Sequence, residues 1–234
     1  MIVDTISAIE ADSRTEFWIE VINRSKPETF LEVGVWKGEF AEAVLKRCPS
    51  IKTYYMLDPW RHLERWNKPF NLDSSALDEA YEEAMARTDF AKERRVVLRG
   101  TTSEKIGEIP DSSLDFAYID GDHTLRGITI DLVACYPKIR AAGILAGDDF
   151  SKSIWQHQPS FEPTLVAPFA VYFAEAVNNP IAACPFQQFA IEKVPGFSFS
   201  GGGDYSLELL PQIARPKRTL GDKIRKRLKA LGIG

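Results

Sequence analysis

The sequence predicts a doubly wound α/β fold on a mostly parallel sheet that ends in an antiparallel strand, and three observations carry that expectation. Residues 114–149 read as two buried strands joined by a helix, the first ending in Asp120-Gly121-Asp122-His123 and the second in Gly147-Asp148-Asp149. Upstream of them, strand and helix patterns alternate, as they do in βαβ units. Downstream, two short strand patterns follow one another with no helix between, which calls for a hairpin and hence one antiparallel strand.

The elements follow in order. Residues 4–24 place Ile6, Ile9, Phe17, Trp18, Val21 and Ile22 at loosely helical spacing, and Pro27 stops the helix. Residues 29–38 give a strand and a turn with Gly34 and Gly38, and residues 39–47 continue as a helix. The turn lacks GxGxxG, so the dinucleotide fingerprint is absent, but a shorter glycine turn still lets a ligand approach the backbone. Glu32 is a carboxylate inside this apolar strand, where it either serves a ligand, caps the turn or pairs with Lys37.

Residues 51–58 form a second strand ending in Asp58, where nucleotide-type ligands have their ribose hydroxyls held. Residues 59–72 are an aromatic, basic loop able to fold over a ligand; Trp60, Trp66 and Phe70 either stack on a planar base or anchor the loop. Residues 73–87 are helical with Asp73 or Ser74 as N-cap. Residues 94–99 form a third strand, and the turn Gly100-Thr101-Thr102-Ser103-Glu104 offers hydroxyls and free N–H groups to a ligand, or simple helix capping. A helix over 124–136 links the central strands, and Ala141-Ala142-Gly143 turns the chain into the second of them. After the loop 151–163 come a helix over 164–177 and strands at 181–184 and 187–192. The count is seven strands in a Rossmann-like, three-layer α/β/α arrangement. Residues 1–195 make the folded domain, 196–214 an irregular connector and 215–234 a basic tail.

The bulk properties are those of a globular chain of 234 residues, 44% hydrophobic and 26% charged, with no stretch long and apolar enough to span a bilayer. Early acids and no basic n-region argue against a secretory signal. Cys48, Cys135 and Cys184 are odd in number and form no CxxC, which fits reduced thiols and a cytoplasmic setting. Residues 215–234 hold eight Lys/Arg and one acid, so against a net charge of −4 the body is acidic. That balance excludes broad nucleic-acid binding. Leu220, Ile224, Leu228 and Leu231 share one face of the tail, which suits peripheral contact with an anionic membrane, docking on a partner, or a solvated end.

Chemistry concentrates where Asp120, Asp122, His123, Asp148 and Asp149 end adjacent strands. Neighbouring strands lie about 4.8 Å apart, and carboxylates about 5 Å apart repel by roughly 3 kcal/mol at an effective dielectric near 20. Either some are protonated, or some face away, or a hard divalent cation such as Mg2+ sits among them. Such an ion would act as a Lewis acid on substrate hydroxyls. Asp122 would then serve as general base, and His123 would do the same or steady the loop. No Cys/His set has zinc spacing.

Taken as an ordered set, Leu31-Glu32-Val33-Gly34 with Gly38, Leu57-Asp58, Gly100 with Ser103-Glu104, Tyr118 to His123, and Gly143 to Phe150 resemble class I S-adenosylmethionine-dependent methyltransferases. Within them the chain is similar, over residues 28–193, to the macrocin O-methyltransferase-like enzymes that methylate sugar hydroxyls. The resemblance implies that Glu32, Gly34, Val35 and Gly38 shape the methionine side of an S-adenosyl-L-methionine pocket. Asp58 would hold the ribose, with Trp60 beside it and Thr102 or Ser103 near the adenine. Asp120 would border the cofactor and, with Asp148 and Asp149, bind magnesium; Asp122 falls at the position of the base. It also implies a sugar-containing small-molecule acceptor and admits a homo-oligomer. The loop 59–72 and everything past Pro195 match no part of the pattern. A metal-independent methyltransferase, an NAD-type oxidoreductase and a non-catalytic binding module on the same scaffold are the competing readings.

Overall fold

The computed structural model describes residues 6, 9–151, 153–158 and 160–201. The proposed connector and basic tail therefore lie almost wholly outside the described residues. Eight strands form one sheet: β1 (Thr29–Val33), β2 (Thr53–Asp58), β3 (Arg95–Arg99), β4 (Leu114–Ile119), β5 (Ile139–Gly147), β6 (Ile181–Cys184), β7 (Gln188–Glu192) and the two-residue β8 (Phe199–Ser200). Their order is β3-β2-β1-β4-β5-β7-β6-β8. Strands β1 to β5 are mutually parallel, and β7 runs antiparallel to both β5 and β6. The expected hairpin is present, but its returning strand is inserted between β5 and β6 instead of closing the edge.

Among the described residues, six α-helices accompany the sheet: α1 (Arg14–Ser25), α2 (Glu39–Arg47), α3 (Ser74–Arg87), the short α4 (Thr102–Lys105), α5 (Leu125–Cys135) and α6 (Val166–Ala176). Local signals set their ends. Ser13, Asp73 and Thr124 each accept a backbone N–H at a helix start, and Thr101 with Glu104 forms a capping box on α4.

Period-two alternation sorts the strand residues onto two faces. Phe30, Tyr54, Phe116 and Tyr118 pack with Trp18 of α1, Phe40 and Val44 of α2 and Ala84 of α3. Leu31, Leu57, Ile119 and Leu145 pack with Ile128 and Leu132 of α5 and Ala170 and Ala174 of α6. Residues 141–143, expected as a turn, lie inside β5. Ala142 adopts φ 59°, and the β4–β5 register shifts between Leu114 and Phe116. The expected turn is thus a bulge within a longer strand.

The fold matters to function because chain direction across the sheet reverses between β1 and β4. Crevices at such a switch point, beyond the carboxyl ends of the strands, are where open α/β sheets take ligands.

Candidate functional site

A cavity of ≈ 610 Å³ opens at that switch point, and both glycine-turn and acidic-edge residues line it. At one end is the turn after β1. Gly34 has φ +87°, and a Cβ there would lie 2.1 Å from the Asp120 carbonyl oxygen. Only glycine satisfies both conditions. Asp58, at the end of β2, locks the turn from below: its Oδ2 accepts the N–H groups of Val35 (2.9 Å) and Trp36 (3.0 Å), and its Oδ1 accepts that of Trp60 (2.8 Å). A carboxylate offers about four acceptor positions, so one remains for a ligand hydroxyl. Burial raises the Asp58 pKa, and the three N–H bonds oppose the rise.

Glu32 is buried beneath the same end and accepts the Tyr54 hydroxyl at 2.8 Å. Burial first, then the nearby Asp120 and Asp58, hold its pKa well above the usual carboxylate range. Lys37 pairs with Glu83 at 3.0 Å, so the pairing with Glu32 considered from sequence is not formed. Gly38 serves helix packing: φ is +77°, and a Cβ would stand 3.0 Å from the Ala84 backbone of α3. Trp60 is fully buried, donates its indole N–H to the Trp36 carbonyl at 2.7 Å and borders the cavity. Thr102 and Ser103 line the far wall. Behind them stands Asp131, unnoticed in the sequence because it looks like an ordinary helix acid. It accepts the Thr102 hydroxyl at 2.5 Å, and burial pushes its pKa up to about 7.

The acidic edge lies at the other end, with Asp120, Asp122, His123, Asp148 and Asp149 all on the cavity wall. Two cations already stand among them. Arg14 of α1 reaches Asp120 at 2.9 Å and also pairs with Asp148. His123 Nδ1 lies 2.6 Å from Asp149 Oδ2, and its Nε2 lies 3.7 Å from Asp120 Oδ1. Burial lowers the imidazole pKa, yet its contacts with Asp120 and Asp149 outweigh that and raise it to about 9. Asp148 is held by the Gln188 side-chain amide, and the same oxygen accepts the Asp149 backbone N–H at 2.7 Å. Gln188 in turn accepts the Trp18 indole and the Tyr118 hydroxyl, each at 2.8 Å. Helix α1 is therefore wired into the site through Arg14 and Trp18.

The structure brings Asp120, His123 and Asp149 together with one ligand atom each within 4.8 Å of the others. Asp148 stands outside that trio. His123 Nε2 is buried with no hydrogen-bond partner, and 3.7 Å to Asp120 is too long for one. If His123 gives up its proton as an ion binds, its orphaned imidazole nitrogen and the two carboxylates form a donor set that fits a divalent cation.

Asp122 projects from the loop before α5. Its Oδ1 accepts the Trp66 indole N–H (3.0 Å) and the Thr124 backbone N–H (2.9 Å), and Arg126 stands 4.0 Å from its Oδ2. Trp66 belongs to the aromatic loop 59–72, which does fold over the cavity. Asn67 ties it to the loop after β5 by donating to the Ser160 carbonyl at 2.8 Å, and Lys68 donates to the Glu162 carbonyl at 2.9 Å. Arg14, Lys68, Asp131 and Gln188 are the site residues that sequence reasoning missed.

Comparison with known proteins places this geometry. A family model described as a methyltransferase domain matches residues 31–150. Among solved structures, the SAH-bound methyltransferase PaMTH1 of Podospora anserina is 15% identical, with 80% of each chain covered and a TM-score of 0.55. The O-methyltransferase from Bacillus cereus in complex with SAH is 12% identical, covering 82% of this chain and 89% of that one at a TM-score of 0.54. The O-methyltransferase NovP is 16% identical, covering 76% and 79% at a TM-score of 0.55. These likenesses establish a shared fold. No curated protein sequence matches the chain.

Proposed function

Because the chain belongs to the methyltransferase-domain family, we propose that it transfers a methyl group from S-adenosylmethionine to a hydroxyl of a small molecule, a sugar or polyol, with a divalent cation assisting. Family membership sets the nicotinamide oxidoreductase reading aside. The observation that carries the proposal is the two-ended cavity. A glycine turn with Glu32 and Asp58 occupies one end, and a carboxylate able to take a proton, Asp122, stands at the other. SAH in the Podospora anserina and Bacillus cereus structures supports the choice of donor.

When bound, the donor supplies an electrophilic methyl on a sulfonium. The C–S bond breaks as the O–C bond forms, leaving S-adenosylhomocysteine and a methyl ether, and the hydroxyl proton must go to a base. The backbone around Gly34 admits the donor's methionine part, and the last acceptor position of Asp58 takes a ribose hydroxyl. Burial raises the Glu32 pKa, which favours its neutral form beneath the turn and so lessens repulsion of a carboxylate ligand. Asp122 takes the acceptor proton on Oδ2, while Trp66 and Thr124 fix its orientation through Oδ1. The two loops that close over the cavity hold the acceptor in line, and such alignment is worth up to roughly 7–11 kcal/mol.

Asp120, His123 and Asp149 would hold the cation, which supplies Lewis-acid polarisation of the acceptor oxygen. Arg14 favours a second reading. Its contacts with Asp120 and Asp148, together with His123 between Asp120 and Asp149, already compensate most of the carboxylate charge, so transfer without a metal is the alternative. Three buried, free cysteines accord with a cytoplasmic setting.

Labelled S-adenosylmethionine incubated with a panel of sugars and polyols tests the reading. We expect label in a sugar ether, with Asp122→Asn cutting turnover and leaving SAH affinity intact. Equal turnover in Asp122→Asn would remove Asp122 as the base. EDTA treatment separates the metal-assisted from the metal-free reading.

A further inference from the structure

We propose that the acceptor end of the cavity contains an oxyanion subsite centred on the ammonium of Lys68, so that the acceptor carries a carboxylate or phosphate as well as the hydroxyl to be methylated. Assigning the anion to the acceptor rests on the methyltransferase reading; the subsite itself does not.

Lys68 is only 5% exposed. Burying an ammonium costs several kcal/mol unless an anion meets it, and lysines are almost never buried without such a partner. Its Nζ donates to the Glu162 carbonyl at 2.9 Å and to the Thr164 hydroxyl at 3.2 Å, both neutral acceptors. An ammonium has three N–H groups, and the third finds no acceptor among the described residues. Lys68 forms no ion pair among them either. Asp122, Asp149 and Glu162 are near enough to oppose the fall in its pKa that burial causes. All three are otherwise engaged, Asp122 with Trp66 and Thr124, Asp149 with His123 and Glu162 with the Asn67 backbone N–H.

The bland alternative is that Lys68 merely rivets the two loops together. Two neutral acceptors can be satisfied by a neutral donor such as an amide, which carries no ionic desolvation cost. The charge is therefore superfluous to the rivet and calls for an anion from outside. Lys68 lines the cavity, as do Arg65 and Arg126, whose residues are joined by a 2.8 Å hydrogen bond from the Arg126 guanidinium to the Arg65 carbonyl. An acceptor entering there presents its anion to positive charge and its hydroxyl to Asp122. A sugar acid or a sugar phosphate meets both requirements.

The test uses full-length protein saturated with SAH, titrated with inorganic phosphate and with acetate at constant ionic strength and followed by tryptophan fluorescence. Wild type and Lys68→Arg should give saturable curves. Lys68→Met should bind the anion at least about tenfold more weakly, with SAH affinity equal in all three. Preference for phosphate or for acetate assigns the oxyanion. Absence of a saturable response in wild type, or equal affinity in Lys68→Met, overturns the subsite; failure of SAH to bind overturns the methyltransferase reading instead. Should Lys68→Met fail to fold, reductive methylation of the wild type decides. Phosphate should slow modification of Lys68 and leave the exposed Lys52 unaffected, and equal rates with and without phosphate overturn the proposal.

Discussion

The end of the cavity proposed for the donor is held by main-chain atoms, the end proposed for the acceptor by side chains. Around Gly34 the contacts are the Asp120 carbonyl and the amides of Val35, Trp36 and Trp60 on Asp58. All of them sit at the ends of hydrogen-bonded strands. Over Asp122 the contacts are the Trp66 indole, the Asn67 amide and the Lys68 ammonium, reaching across two loops. Rigid sheet ends suit a ligand that is always the same, whereas loops stitched by side chains can be re-cut for different acceptors without disturbing the sheet. Substitutions at the two ends should therefore fail differently.

The largest effect is expected from Gly34→Ala. Its added Cβ meets the Asp120 carbonyl at 2.1 Å in a left-handed conformation, at a cost above about 3 kcal/mol. The melting temperature should collapse and SAH binding vanish; a stable variant that still binds SAH would break the claim that the donor end is backbone-built. Next, Asp58→Ala leaves three N–H groups without their acceptor. We expect a loss of roughly 3 kcal/mol in denaturant unfolding and SAH affinity reduced at least about tenfold.

Asp131 stands at the seam, accepting from Thr102 of α4 while belonging to α5. With its pKa pushed up to about 7 in the fold, it holds a proton that the unfolded chain releases near pH 4. Stability from this group therefore falls as pH rises from about 4 to 7 and stays low above. A rise of three units corresponds to about 4 kcal/mol, of which relaxation and water entry leave on the order of 2. Asp131→Asn should melt above wild type at pH 8.5, and the gap should narrow to less than half at pH 5; a constant gap would contradict the buried proton.

The smallest effect belongs to Trp66→Phe, which keeps the ring and removes the N–H to Asp122. Stability should change by less than about 1 kcal/mol and SAH affinity not at all, while turnover falls. Any loss of SAH affinity would blur the division between the two ends.

That same division explains what could be read from the chain. Strand ends announce themselves, since period-two hydrophobicity runs into Gly34, Asp58 and Asp120 within a few residues. Arg14, by contrast, meets Asp148 across 134 positions, and Lys68 meets Glu162 across 94, distances over which no local pattern speaks. Two faint signals existed. A cation in the first turn of α1 opposes the helix dipole and so needs an acid from elsewhere, and Gln188 is a lone amide in a strand that is otherwise mostly apolar. Residues 141–143 make a bulge inside β5 where a turn is expected, because small residues serve both. Sequence sets Asp148 beside Asp120 and Asp149 as neighbours, and the structure adds what holds its side chain, Gln188 and Arg14.

Isothermal titration of S-adenosylhomocysteine into the wild-type chain, in the presence of EDTA, tests the central claim most directly. One saturable site per chain, strongly weakened in Asp58→Ala, is the result predicted. Absence of binding, or equal binding in Asp58→Ala, would contradict a donor pocket built on the ends of β1 and β2.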